Sequence, residues 1–368
     1  MSFAFKSLDE STIDAIEPII AERFCPEAYA NVRRLLANPG RASGEDVGVV
    51  AFDGSQAGGV TGSIVRRLYL GRERFSGVNG GFLAMRRDAP ATLLYVLLKK
   101  AHRPRGGGCL LYSNTCSPAT VKLKPCVGVG NHGPDSWESV RIARLRRYPS
   151  LRRRVKRALG ITLPSRLPFS AALVSPLDCA RARTVFASGG RRGLSVRARL
   201  DFEWADGFFE RYLAGNDGVV GSRTTEELTW MFGDGVAAGR SLLLAAEGAD
   251  GVEGYIVACP CPYDASFWQV VDAIAVGNDV STLELLFSAV KKAVLACSGA
   301  ERLEVIGFPA WFQPTVRRHF PKSRPMPCNG FMWGFSDAAM ARRCEDAMRG
   351  EKGWFFGPYD GDYCLCMQ

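Results

Sequence analysis

The chain lacks long apolar runs. None of its 368 residues belongs to an uninterrupted apolar stretch near the ~20 residues that a membrane-spanning helix needs. The first ten residues hold charges in place of the apolar core of a signal peptide. We therefore expect a cytoplasmic protein. With 47% hydrophobic and 23% charged residues, the composition is that of a globular chain, and the length predicts two domains.

Metal-binding patterns are also missing. The chain holds three histidines, and its twelve cysteines lack zinc spacing. Cys259 and Cys261, like Cys364 and Cys366, are separated by one residue, where zinc motifs have about two to four. The other cysteines are scattered, several of them in apolar segments. We expect reduced, mostly buried thiols and no metal site.

Acidic residues are absent between Ser139 and Leu177, and most of the excess positive charge of this chain, net +10, lies there. The basic side chains fall mainly between Arg141 and Arg157. A solvated linker that pairs with acidic surfaces is the interpretation we favour. Contact with an anionic membrane ranks second. Contact with nucleic acid ranks last, because Tyr148 is the lone aromatic residue between those two arginines and base-stacking sites use several.

Two segments of the chain resemble each other. Residues 93–101 and 285–293 are identical at five of nine positions, and each has helical apolar spacing. Ser281 and Glu284 form a capping box that predicts the start of the second helix. Each helix follows an apolar strand candidate and precedes another strand, and a predicted hairpin and two helical segments lie upstream in each half.

This element order predicts an α+β, or mixed α/β, fold with two similar halves, each a mostly antiparallel sheet flanked by helices. We place one domain at residues 1–145, the basic linker at residues 146–194 and the second domain at residues 195–368.

The order of strand, helix and strand ending at Asn114, with a Lys-Leu-Lys-Pro-Cys-Val-Gly run from Lys122, resembles the acyl-CoA N-acyltransferase (GNAT) superfamily. The ending from Trp354 to Asp362 resembles that of bacterial proteins with two such domains, some linked to cell-surface polysaccharide synthesis. The resemblance implies transfer of an acyl group, such as acetyl from acetyl-CoA, to a small-molecule amine. An amino sugar or another cell-envelope precursor would be such an acceptor.

The glycine-rich loop by which that superfamily binds the CoA pyrophosphate is missing from both halves. In the first half Met85, Arg86 and Arg87 stand at its place, and the arginines could still meet phosphates at a helix start. In the second half an acidic residue, Asp279, stands there. The resemblance therefore assigns cofactor binding to Met85, Arg86, Arg87 and Asn114. The alternatives are a solvated strand end for the arginines and a helix cap for Asn114.

Catalytic candidates lie on the predicted central strands. The resemblance implies that Asp272 acts as general base, and burial would move its pKa toward the working range. The alternative is a carboxylate that faces solvent or pairs with an arginine. Tyr112 is a candidate general acid, or a tyrosine that is simply packed.

Two other functions fit the missing loops. A Fem-type transferase, which takes aminoacyl groups from tRNA, fits the positive charge but should contain a long helical arm that the sequence does not predict. A degenerate, non-catalytic pair of domains used for binding or scaffolding fits as well.

Overall fold

The structure is a computed structural model, and it describes the chain in parts. The described residues are 3–24, 26–41, 46–101, 109–116, 122, 131–132, 140–141, 193–261, 264–297, 300, 302–305, 312–319, 324–325, 330–349 and 354–360. Apart from Arg141, the basic segment up to Arg157 lies outside them. The linker predicted at residues 146–194 lies outside them except for its last two residues.

Among the described residues the larger sheet has nine strands, in the order β1-β2-β3-β4-β5-β15-β6, with β9 beside β3 and β16 beside β9. Its strands are β1 (Ala4–Ser7), β2 (Gly48–Asp53), β3 (Gln56–Leu70), β4 (Glu73–Met85), β5 (Cys109–Cys116), β6 (Asn131–His132), β9 (Val219–Gly221), β15 (Gly330–Phe335) and β16 (Trp354–Phe355). The pairs β4–β5 and β9–β16 are parallel and the others are antiparallel.

In the smaller sheet the structure describes seven strands, in the order β14-β7-β13-β12-β11-β10-β8. Its strands are β7 (Val140–Arg141), β8 (Ser195–Arg199), β10 (Leu242–Gly248), β11 (Gly251–Cys261), β12 (Asp264–Ala275), β13 (Arg302–Val305) and β14 (Arg324–Pro325). Here β12 and β13 form the parallel pair.

Helices flank both sheets. They are α1 (Glu17–Arg23), α2 (Pro26–Arg33), α3 (Ala91–Ala101), α4 (Ala205–Ala214), α5 (Thr225–Ala237), α6 (Val280–Ala296), α7 (Gln313–His319) and α8 (Ala338–Arg349). The helices predicted at residues 93–101 and 285–293 are confirmed, since they lie within α3 and α6. The fold class is confirmed too: the chain is mixed α/β with two mostly antiparallel sheets.

The predicted start of α6 is wrong by two residues. The N-cap is Asp279, whose Oδ2 accepts hydrogen bonds from the Thr282 N–H at 3.0 Å and from Thr282 Oγ1 at 2.7 Å. A carboxylate is a strong N-cap because it pairs with a free N–H and lies at the positive end of the helix. Ser281 therefore sits inside the helix, where it cannot serve as the cap.

The two sheets exchange strands. β7 belongs to the smaller sheet although it comes from the N-terminal part of the chain, whereas β9, β15 and β16 join the larger sheet from the C-terminal part. The largest hydrophobic cluster likewise takes residues from both parts, such as Ile64 and Phe232. Domain boundaries at residues 145 and 195 stay a prediction.

Candidate functional site

The parallel strands β4 and β5 separate in the middle of the larger sheet. Their pairing covers four residue pairs and ends where Asn79 lies opposite Tyr112. β4 then runs on to Met85, while β5 stays paired with β15 on its other side. Just past this point the register between β3 and β4 shifts by one residue, which is a β-bulge beside the separation.

The smaller sheet repeats this arrangement. The β12–β13 pairing ends with Val270 opposite Val305, and β12 continues to Ala275. Asp272 lies just beyond that end. The register with β11 shifts there, since Val257 faces Asp272 and Ala258 faces Val270. Asp272 therefore sits at a bulge next to a strand separation.

Met85, Arg86 and Arg87 lie at the end of β4, before α3. Arg86 donates to both carboxylate oxygens of Asp88 at 2.9 and 3.1 Å. Arg87 Nε is 2.8 Å from Glu22 Oε1, and its side chain is 78% exposed. The Met85 carbonyl accepts a hydrogen bond from Arg23. Both predicted phosphate-binding cations thus have carboxylate partners at the surface.

The start of α6, which follows β12 as α3 follows β4, is occupied by a side chain of the protein itself. The Asp279 carboxylate already takes the Thr282 N–H that an incoming anion would need. Pro90 stands directly before α3, and its side chain offers no acceptor for a helix N–H. The start of α6 is therefore capped by a carboxylate, whereas the residue before α3 has no such group.

Asn114, the remaining cofactor candidate, lies within β5, two residues past Tyr112. Its side chain is outside what the structure describes. The structure thus places the backbone of Asn114 just past the strand separation.

A buried set of charged and aromatic side chains connects the two separations, and we call it the central network. Its members are Arg66, Tyr112, Arg223, Glu227, Tyr255, Asp272, Tyr359 and Asp360. All of them are buried, so water does not screen the charges they carry.

Arg223 is the hub of the central network. Its Nη1 donates to Asp360 Oδ1 at 2.9 Å and its Nη2 to Asp360 Oδ2 at 2.8 Å, a bidentate pair. The same Nη2 donates to Asp272 Oδ1 at 3.2 Å. Tyr255 donates its hydroxyl to the other oxygen of Asp272 at 2.5 Å. Arg223 thus joins a carboxylate near the C-terminus to the carboxylate at the β12 bulge.

Aromatic rings complete the network. The Tyr359 ring centroid lies 4.4 Å from the Arg66 guanidinium and 4.6 Å from that of Arg223, within the range of cation–π attraction. Arg66 also donates to the Tyr359 carbonyl. Tyr112 donates its hydroxyl to the Asp360 carbonyl at 2.6 Å. The two predicted catalytic residues, Tyr112 and Asp272, therefore belong to one buried network.

The acid–base properties of the network follow from its burial. Burial raises the pKa of Asp272, and the nearby Asp360 adds to the shift while Arg223 opposes it. Burial likewise raises the pKa of Tyr112, so its hydroxyl stays protonated near neutral pH. Tyr112 is therefore a hydrogen-bond donor there and a weaker acid than an exposed tyrosine.

Glu227, in the first turn of α5, is the unusual member. Neither of its oxygens accepts a hydrogen bond of good geometry, although the Ser222 hydroxyl lies beside the carboxylate and Arg67 Nε is 3.7 Å from Oε1. Burial raises the pKa of Glu227 to about 7, although Arg66 and Arg67 pull it down. The network therefore combines two buried arginines, Arg66 and Arg223, with three buried carboxyl groups.

Sequence reasoning missed Arg66, Arg223, Glu227 and Asp360. Arg66 is buried in β3, although a charged residue in a strand is usually expected to face solvent. Asp360 lies between Trp354 and Asp362, a segment that carries only a resemblance to two-domain proteins. Arg223 precedes a helix and carries no motif. The one available signal was Thr224 with Glu227, a capping-box spacing that predicts the helix start but not the burial of its carboxylate.

The cysteines described by the structure include Cys109, Cys259, Cys261, Cys297 and Cys344, and all five are buried free thiols, as expected. Within the described ranges, His, Cys, Asp and Glu do not form any group of three that could hold a metal ion. None of the helices described is long and apolar enough to cross a membrane.

No family model matches the sequence, and no curated protein matches it either. Solved structures do match. Saccharomyces cerevisiae N-myristoyltransferase with bound myristoyl-CoA and inhibitors is similar, with a TM-score of 0.52 and 13% identity over 91% of this chain and 80% of the yeast chain. A probable N-acyltransferase of unknown function from Enterococcus faecalis V583 has a TM-score of 0.51 and 11% identity over 91% of this chain and 72% of its own. This chain therefore has the fold of acyltransferases.

Proposed function

We propose that this protein transfers an acyl group from a CoA thioester to an amine, with the thioester held where β4 separates from β5. The observation that carries the proposal is the end of their pairing at Asn79 and Tyr112 while β4 continues to Met85. Beyond that point no described strand pairs with this edge of β4. Backbone groups there need partners, and the amide-bearing pantetheine arm of CoA can supply them as an added strand would.

The first half is the better place for the CoA phosphates. Arg86 and Arg87 stand before a helix that follows Pro90, whose side chain cannot cap it, whereas the Asp279 carboxylate caps the equivalent helix. Arg87 is the more exposed of the two and can leave Glu22 for a phosphate, because a surface ion pair contributes little stability.

In the proposed reaction the amine attacks the thioester carbon, the C–N bond forms and the C–S bond breaks. The amine loses a proton to a base, and the departing thiolate takes one up. Asp272 remains our proposed base and Tyr112 our proposed donor. Tyr112→Phe and Asp272→Asn test these roles directly: loss of turnover with acyl-CoA binding retained supports them, whereas unchanged turnover removes them.

The acceptor we propose is a small-molecule amine, with an amino sugar of the cell envelope as the first to try. This choice is supported only by the likeness of the chain's ending to that of two-domain proteins of polysaccharide synthesis. Incubation with acetyl-CoA and glucosamine, followed by mass spectrometry of the products, tests it.

The first experiment is thermal unfolding with acetyl-CoA and with myristoyl-CoA. A ligand at ~100 times its Kd stabilises the native state by about 2.7 kcal/mol. We expect a saturable shift that is lost in Arg86→Ala/Arg87→Ala. The matched control is Arg317→Ala/Arg318→Ala, which removes two exposed neighbouring arginines from α7. Absence of any shift at millimolar ligand, or an equal loss in both double variants, would contradict the proposal.

The non-catalytic alternative gives a different result in the same samples. The central network supports it in one respect, since both candidate proton-transfer groups are fully buried. Binding of acyl-CoA without turnover, under conditions in which every amine tried is recovered unchanged, would favour a binding protein.

A further inference from the structure

We propose that Arg223 and Asp360 are positioning residues for acyl transfer: they hold β5 where it leaves β4 and β12 where it bulges. Acyl-CoA binding in the larger sheet then depends on contacts with the smaller sheet. This inference rests on the proposed function.

The first anchored point is Tyr112, the last β5 residue paired with β4. Its hydroxyl is held by the Asp360 carbonyl at 2.6 Å. Its ring lies against Gly77 of β4, where an added Cβ would stand 3.2 Å from Tyr112 Cε1. The place where the two strands separate is therefore set by a tyrosine whose far end is tied to the C-terminal segment.

The second anchored point is Asp272 at the β12 bulge. Arg223 holds one of its oxygens at 3.2 Å and Tyr255 the other at 2.5 Å. With both oxygens occupied, the carboxylate has little freedom to rotate, and Asp272 stays opposite Val257 of β11 at the bulge.

The link between these two points is the bidentate pair of Arg223 and Asp360. Two further bonds orient it: Arg223 Nη1 donates to the Gly221 carbonyl at 2.7 Å, and the Gly357 N–H donates to Asp360 Oδ2 at 2.7 Å. The pair has no solvent exposure, so a missing partner would leave a buried charge that water cannot compensate. A disturbance at the pair reaches both anchored points through direct hydrogen bonds.

The test compares Asp360→Asn with Glu304→Gln. Each change neutralises one buried carboxylate and keeps its shape, but Glu304 hydrogen-bonds to Gln269 within the smaller sheet. We expect the Kd of myristoyl-CoA, measured by calorimetry, to rise about tenfold in Asp360→Asn, as is usual for energetically coupled sites. The Glu304→Gln protein should keep the wild-type Kd. Equal effects in both would mean a merely structural role and would overturn the inference.

A second readout separates this inference from the proposed function. If wild-type protein binds no acyl-CoA, the proposed function fails. Amide hydrogen exchange then tests separately whether Arg223 and Asp360 hold β5 in place. Asp360→Asn should raise the exchange rate of the β5 amides at residues 110–113, and Glu304→Gln should not. Unchanged exchange in Asp360→Asn would overturn the inference. If Asp360→Asn does not fold, Arg223→Lys takes its place, since it keeps the buried positive charge and removes the bidentate geometry of the pair.

Discussion

Arg223 and Asp360 form a two-pronged ion pair, Nη1 to Oδ1 at 2.9 Å and Nη2 to Oδ2 at 2.8 Å, across 137 positions of the chain. Neither side chain has any solvent exposure. Because fork-to-fork geometry satisfies two donors and two acceptors at once, the pair is both strong and directional. It ties the C-terminal segment into the centre of the fold.

Removing one partner should therefore be costly. We expect Asp360→Ala to lower the free energy of unfolding by about 3–5 kcal/mol, because the Arg223 charge stays buried without compensation. Urea unfolding followed by circular dichroism measures this. The control is Glu210→Ala, at an exposed position of α4, which should change stability by less than about 0.5 kcal/mol. A loss below about 1 kcal/mol for Asp360→Ala would show that the pair is weak.

The ion pair also requires a glycine beside it. A Cβ on Gly221 would lie 2.1 Å from Asp360 Oδ1, closer than any real contact allows. We expect Gly221→Ala to push the carboxylate away and destabilise the fold by about 1–3 kcal/mol. Gly207→Ala in α4 is the control, since its Cβ would meet only Arg211 Nη1 at 3.9 Å. There the same change should stabilise the helix by about 0.5–1 kcal/mol. Thermal unfolding of both proteins distinguishes these opposite signs.

These contacts mark what the sequence can and cannot predict. The helices α3 and α6 could be predicted because apolar spacing is local and repeats every turn. Asp272 and Tyr112 could be singled out because each lies on a central strand next to a predicted crossover. Pairing between Arg223 and Asp360 could not, since residues so distant in the chain meet only after both sheets have formed.

The exchange of strands between the two sheets could not be predicted from the sequence either. β15 pairs with β5, and β7 with β13, although each pair joins segments that lie far apart in the chain. A strand's side-chain alternation tells which face is buried but not which neighbour it has. The start of α6 was misplaced for a related reason, because Ser281 and Asp279 are both good caps and only the chain direction before the helix decides between them.

Glu227 should make stability depend on pH near neutrality. Its pKa in the folded protein is about 7, above the ordinary 4.5. The folded state therefore holds the proton more tightly than the unfolded state, so this contribution is complete below the unfolded pKa and is lost as pH rises through the folded one. We expect the free energy of unfolding to fall by about 2–3 kcal/mol between pH 5 and pH 8 through this group.

Urea unfolding across that pH range, compared between variants, measures the Glu227 contribution. Glu227→Gln cannot ionise and should flatten the fall. Glu226→Gln, one residue away but exposed, should keep it. Equal pH dependence in the wild type and in Glu227→Gln would mean that the carboxylate reaches a partner in the folded protein.

The sequence pattern and the structure assign the N-cap of α6 to different residues. The capping-box pattern assigns the cap to Ser281, whereas the structure assigns it to Asp279, whose carboxylate takes the Thr282 N–H at 3.0 Å. Asp279→Ala should cost about 1 kcal/mol, and Asp279→Ser should restore most of it because a hydroxyl can accept the same bond. Ser281→Ala, at an exposed position inside the helix, should leave stability within about 0.5 kcal/mol of wild type. Thermal unfolding ranks the three variants. A larger loss for Ser281→Ala than for Asp279→Ala would return the cap to Ser281 and free the helix start for an anion.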